Sequence, residues 1–308
     1  MLPTPSFHHL HLNSVDPDKA IDFYAAQFSS TSRTTWGGMP ALQCANDVLL
    51  LFTKVDTPPA VAPETAIWHF GWHVPDARKS LETYKSRPEV KLLPLYTSSK
   101  GESVFISSDT WPGTGGVLGL NAAQIEEARA AGTKPKGGAG FSYMEGPDRA
   151  LVEYAGNHPA ERFNHVHLWQ DDPFCAQLWY QKHLNAPVME GRASPTPMTE
   201  ANCKVPRGPD RTWPSLDREG TYRTPRAAVT FSDVALSWYA RQSDEPLASP
   251  RGHVVDHIGL GVADLDAWIA KLESERVTFL ERKPYPLGET RAVMIEGPSG
   301  EALELVEA

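Results

Sequence analysis

The chain is poor in cysteine. Three in 308 residues, Cys44, Cys175 and Cys203, are odd in number, scattered and without a CxxC pair. A zinc knuckle is therefore excluded, a disulfide framework is not expected, and the usage points to a reducing compartment. No apolar run reaches the roughly 18 residues of a spanning helix, and no signal-peptide pattern follows Met1. A cytoplasmic protein without a membrane partner is expected. Positive charge is also short: 29 basic against 38 acidic residues leave a net charge of −9, which argues against nucleic acid as a partner. The Gly-rich stretches 113–116 and 137–140 lack the strand–turn–helix setting of a phosphate loop, and no Ser, His and Asp set is suggested by spacing. What remains is an ordinary soluble composition, 41% hydrophobic, with length for about two domains.

What is present is a repeat. Val254–Asp264 reads as a buried strand followed at once by a helix cap. The same pattern begins at Phe7, Ile67 and Phe163. In all four copies a His precedes an Asp by seven residues: His9 and Asp16, His69 and Asp76, His165 and Asp172, His257 and Asp264. Each Asp opens an amphipathic helix pattern, with starts expected near residues 17, 76, 173 and 264, and three short strands follow each helix. The reading is α+β, four βαβββ modules. Two long departures interrupt it, 97–140 (with a helix expected at 122–131) and 192–225. Pro-rich segments near 56–63 and 246–252 read as linkers.

This pattern resembles the vicinal oxygen chelate superfamily, which includes glyoxalase I, methylmalonyl-CoA epimerase, bleomycin-resistance proteins and type I extradiol dioxygenases. The resemblance implies that modules pair to curl a sheet around a cup. The expected domains are 1–160, the first two modules with insertion 97–140, and 161–308, the last two with insertion 192–225. It further implies metal ligands on the first and last strands. The closing hairpins Glu145–Tyr154 and Glu296–Leu305 align, which matches Glu153 with Glu304. The equivalent positions in the other modules are Leu51 and Ser237, neither a strong ligand.

The expected metal sets are His9, His69 and Glu153 in one cup, and His165, His257 and Glu304 in the other. Two imidazoles and one carboxylate suit non-haem Fe(II), and Mn(II), Zn(II) or Ni(II) also fit such donors. Alternation places His11, His73 and His167 on the same strand faces, with His11 and His73 as candidate catalytic groups, and His8 facing away. Tyr143, ten residues before Glu153, matches a substrate-contacting Tyr of the extradiol enzymes, so the cup holding it is expected to be the active one. Those enzymes' acid–base His are missing. The implied function is a divalent-metal dioxygenase acting on a small catechol-like substrate. A glyoxalase-like lyase or isomerase is the alternative, although the carboxylate it takes from the partner module is replaced by Leu51 and Ser237. A metal-free protein that sequesters an aromatic ligand with Trp36, Trp111, Trp169 and Trp213 is the third reading. Homo-oligomers are left open.

Overall fold

The computed structural model describes residues 2–93, 96–97, 103–104, 130–131, 141–156, 158–191, 193, 196–204, 226–240, 245–281 and 283–308. Trp111, Trp213, all but the last two residues of the expected helix at 122–131 and most of both insertions lie outside the described residues. The first module is β1 (Ser6–Ser14), α1 (Pro17–Gln27), β2 (Ser32–Trp36), β3 (Met39–Gln43) and β4 (Leu49–Lys54). The second has β5 (Ile67–His73), α2 (Ala77–Lys85), β6 (Lys91–Leu93), a small ribbon of β7 (Tyr96–Thr97) with β8 (Ser103–Val104), β9 (Phe141–Glu145) and β10 (Leu151–Ala155). The third has β11 (Arg162–Gln170), α3 (Pro173–Leu184), β12 (Arg226–Phe231) and β13 (Val234–Ala240). The fourth has β14 (Val255–Val262), α4 (Leu265–Ser274), β15 (Tyr285–Leu287), β16 (Thr290–Glu296) and β17 (Ala302–Glu307).

The helices start where the repeated Asp places them. Asp16, Asp76 and Asp264 accept a hydrogen bond from the backbone N–H three residues on, which satisfies one of the orphan donors of a first helical turn. Asp172 also stands at the cap of α3 but makes no such bond. Instead the Gln170 side chain accepts from the N–H groups of Asp171 and Asp172.

The pairing of modules differs from the one expected. One sheet has eight strands in the order β15-β16-β17-β14-β1-β4-β3-β2, and the other seven in the order β12-β13-β11-β5-β10-β9-β6. The first module thus pairs with the fourth, and the second with the third. In both sheets the two opening strands run antiparallel down the middle, β1 against β14 and β5 against β11. The two sheets meet through their apolar faces. Phe28, just past the end of α1, stacks on Trp72 of β5 at 4.0 Å, and Phe7 of β1 meets Phe163 of β11 at 5.6 Å. The linkers lie side by side, with bridges Ala60 to His253 and Thr65 to Ala248.

A second correction concerns cysteine. Cys175 of α3 is disulfide-bonded to Cys203, 28 residues on, with Cα atoms 4.9 Å apart; Cys44 is free and buried. Scattered spacing hid this pair because folding brings the start of the third module's insertion back onto its helix. Cysteine usage therefore no longer argues for a reducing compartment. Closing a loop of this size removes entropy from the unfolded chain, so Cys203→Ser should cost about 2–4 kcal/mol. Paired denaturant melts of wild type and variant check this, and equal midpoints would contradict it. Among the described residues no helix is long and apolar enough to cross a membrane.

Candidate metal centres

The opening strands carry the histidines, and a bulge in each sheet sets how they meet. Register slips between Phe7 and His9 in β1, and between Phe163 and His165 in β11. The extra residue, His8 or Asn164, is thereby turned beside the following His. After the bulge His9 sits opposite Gly259, and His165 opposite Gly71. Both glycines are obligatory. A Cβ on Gly259 would lie 2.0 Å from His9 Cε1, and one on Gly71 would lie 2.5 Å from the Glu153 carbonyl oxygen and 2.7 Å from His165 Cε1.

In the eight-stranded sheet three side chains converge. His9 Nε2 is 3.4 Å from His257 Nε2 and 3.3 Å from Glu304 Oε2, and His257 Nε2 is 3.7 Å from the same oxygen. All three residues are buried. Donors bonded at about 2.1 Å to one ion, roughly 90–110° apart, lie about 3.0–3.4 Å from each other, so this triangle is close to ligand spacing. The remaining atoms are engaged elsewhere. His257 Nδ1 bonds Asp256 Oδ1 at 2.7 Å, His9 Nδ1 meets His8 Nδ1 at 2.8 Å, and Glu304 Oε1 accepts from the Tyr285 hydroxyl at 2.5 Å. Among the described residues Glu304 Oε2 has no hydrogen-bond partner. The donor set fits a divalent ion: two imidazole Nε2 atoms with their Nδ1 atoms tied off, and one open carboxylate oxygen. His11 stacks on His257 at 4.4 Å and bonds Thr53 through Nε2. A cavity of about 420 Å³ opens on this centre, lined by Asn13, Thr53, Arg251, Tyr285 and Met294 among others.

In the seven-stranded sheet Glu153 is the hub. Its Oε2 accepts from the Tyr143 hydroxyl at 2.7 Å and faces His69 Nε2 at 2.9 Å, His165 Nε2 at 3.7 Å and His167 Nδ1 at 4.0 Å. These four possible ligands offer atoms all within 4.8 Å of one another. His165 Nδ1 meets Asn164 Oδ1 at 2.9 Å. A chain of ring contacts leads from His167 and His69 to Trp68, and from Trp68 to Trp169 at 4.2 Å. Those two indoles wall a cavity of about 390 Å³. His73 stands apart. It stacks on His158 at 5.6 Å and borders a different cavity with Arg162 and Asp233.

The expected groupings are therefore corrected. The structure brings His9 to His257 and Glu304, not to His69 and Glu153, and it brings His165 to His69 and Glu153, not to His257 and Glu304. Each centre still receives two histidines and one glutamate. The aligned positions also hold: Leu51 pairs with His11 as Glu304 pairs with Gly259, and Ser237 pairs with His167 as Glu153 pairs with Gly71. Leu51 and Ser237 are thus the fourth places of the two centres, and they supply no carboxylate. His8 does not face away, because the bulge rotates it toward His9. Four polar residues that touch the ligands were missed: His8, Asn164, Asp256 and Tyr285. The residue before each repeated His was the available signal, since His8, Asn164 and Asp256 interrupt apolar strands.

Burial controls the charges. It pushes His9 well below the ordinary 6.5, helped by neighbouring His257, His8 and His11. It lowers His69 against the pull of Glu153, and takes His11 to about 3 and His73 to about 4. His257 is raised instead: burial lowers it, but Asp256 and Glu304 outweigh that. For Glu153 burial raises the value, yet His165, His69 and Tyr143 together hold it near about 2. The lowered histidines refuse a proton that the unfolded chain accepts below 6.5. Stability is lost as pH falls through that value, and the glutamates add to the loss below their ordinary 4.5. His257 and buried Glu301, both raised, oppose this. Chelator-treated protein should therefore melt at a lower temperature at pH 5 than at pH 7.5; a flat profile would contradict the assigned burial energetics.

A family model described as the Glyoxalase/Bleomycin resistance protein/Dioxygenase superfamily matches residues 162–305. No curated protein matches the sequence. Among solved structures, glyoxalase I from Zea mays is similar at 15% identity and TM-score 0.61, covering 99% of this chain and 92% of that one. A candidate dioxygenase from Bacillus subtilis subsp. subtilis strain 168 is similar at 11% identity and TM-score 0.57, covering 99% of this chain and 86% of that one. At these identities the likeness is one of fold.

Proposed function

We propose that this chain, which belongs to the glyoxalase/bleomycin resistance/dioxygenase superfamily through residues 162–305, is a divalent-metal enzyme of the Fe(II) dioxygenase type. Its substrate would be a small molecule with two vicinal oxygens, catechol-like in outline. The observation that carries the reading is the triangle of His9, His257 and Glu304 beside an open cavity, with buried Leu51 in the fourth place. A lyase of the glyoxalase type is expected to use a carboxylate at that place; a three-ligand face with open positions suits dioxygen chemistry. Mn(II), Zn(II) and Ni(II) are compatible with the same donors.

A bound ion would supply Lewis-acid polarisation of the substrate oxygens and a position for dioxygen. The chain's own groups do the rest. Tyr285 holds Glu304 by Oε1, which presents Oε2 inward. Asp256 fixes the tautomer of His257 so that Nε2 is the lone-pair atom. His11, kept neutral by burial, borders the cavity as a hydrogen-bonding wall and not as a proton acceptor at neutral pH.

The Glu153 centre would hold a second ion. There Tyr143 is committed to Glu153 Oε2 and positions that ligand. The chemistry is therefore assigned to the Glu304 centre, against the expectation drawn from Tyr143. The test is metal analysis after anaerobic purification, with oxygen uptake on a panel of catechols. Iron with uptake supports the dioxygenase. Nickel or zinc without uptake moves the assignment to the lyase, and metal-free, folded protein leaves the binding reading.

A further inference from the structure

The two centres have the same ligand types but not the same support. In the Glu304 centre a carboxylate, Asp256, sits on the far nitrogen of one ligand histidine at 2.7 Å. Asp256 is itself locked, taking Gly252 N–H at 2.7 Å, Asn13 Nδ2 at 3.1 Å and Arg251 Nε at 3.0 Å. In the Glu153 centre the corresponding residues are Trp68, before His69, and Asn164, a neutral amide, before His165. His69 Nδ1 has no hydrogen-bond partner among the described residues.

The carboxylates differ as well. Glu304 Oε2 faces the ligand nitrogens His9 Nε2 at 3.3 Å and His257 Nε2 at 3.7 Å, with Tyr285 on the other oxygen. Glu153 Oε2 already takes Tyr143 and His69, so an ion must displace those bonds before it binds. His167 offers the Glu153 centre an extra donor, but at 4.0 Å it is the farthest from the shared oxygen. A carboxylate behind a ligand imidazole raises its basicity and fixes its ring, and its loss typically costs 10–100-fold in metal affinity. A preformed site also avoids reorganisation on binding.

We infer that the chain carries two metal sites of unequal affinity, with the residue immediately before each ligand histidine setting the order: Asp256 makes the His9, His257 and Glu304 site the tighter one, and Trp68 with Asn164 leaves the His69, His165 and Glu153 site the weaker. This rests on the metal reading above.

The experiment is anaerobic titration of the chelator-stripped full chain with Co(II), followed by its absorption bands and by competition with a chromophoric chelator. Two steps are expected, separated by at least about tenfold. Glu304→Gln should remove the tighter step and Glu153→Gln the weaker. Asp256→Asn should weaken the tighter step by about 10–100-fold and leave the other unchanged. Asp256 also anchors a loop, so the reciprocal variant guards against a folding artefact: Asn164→Asp, which breaks no such anchor, should tighten the weaker step. Loss of the tighter step in Glu153→Gln overturns the inference, as do equal wild-type constants, or constants unmoved by both Asp256→Asn and Asn164→Asp. Folded wild type that takes up no Co(II) sinks the metal reading itself, and the inference with it.

Discussion

Glu304→Ala is expected to abolish turnover, by at least about 100-fold, or roughly 3 kcal/mol of transition-state stabilisation. The variant removes the only carboxylate of the triangle and leaves the imidazoles of His9 and His257 alone. It should stay folded, because β17 keeps its backbone pairing with β14 and β16. It strips the half-buried Tyr285 hydroxyl of its acceptor and His257 of a carboxylate partner, so the metal-free form should lose some stability as well. Glu153→Ala serves as the control. It strips Tyr143 of its acceptor and His69 of its partner, so it should lower the melting temperature more than Glu304→Ala while retaining most of the activity. Oxygen uptake and thermal melts on the pair check both halves. Full activity in Glu304→Ala with loss in Glu153→Ala would move the chemistry to the other centre.

Gly259→Ala is expected to be severely damaging. The added Cβ would fall within 2.0–2.6 Å of three atoms of the His9 ring. That ring has little room to retreat. It is fully buried, meets His8 at Nδ1 and lies 5.5 Å centroid to centroid from His257. Overpacking of this kind costs about 1–3 kcal/mol and sometimes more; here the upper end is expected. Metal uptake at the Glu304 centre should disappear even where the fold survives. Gly71→Ala should be at least as destabilising, since its Cβ would meet the Glu153 backbone oxygen at 2.5 Å as well as the His165 ring. Metal stoichiometry and denaturant midpoints measure both, and an alanine variant with wild-type values at either position would contradict the close approach.

The same glycines show what was legible in the sequence. The histidine-to-aspartate spacing located all four opening strands and all four helix starts, because a strand end and a helix cap are local events. The closing hairpins located Glu153 and Glu304 for the same reason. The grouping of ligands was not legible. Modules one and three read His-x-His (His9 and His11, His165 and His167), and modules two and four read His-x-Gly (His69 and Gly71, His257 and Gly259). A His-x-His strand needs a His-x-Gly strand opposite, since only glycine leaves room for the ring. Pairing one with two satisfies that rule, and so does pairing one with four. Both arrangements give every cup two opening histidines and one glutamate. Local sequence fixes the parts of each centre, and only the long-range route of the chain decides which parts meet. Bulges hid the rest: a strict alternation turns His8 outward, whereas one inserted residue turns it onto His9.

The most direct measurement is anomalous diffraction at the metal edge from crystals of the loaded protein. One peak is expected bonded to His9 Nε2, His257 Nε2 and Glu304 Oε2, and a second, weaker peak among His69, His165 and Glu153. A peak shared by His9, His69 and Glu153, or loaded crystals with density at neither triangle, would contradict this.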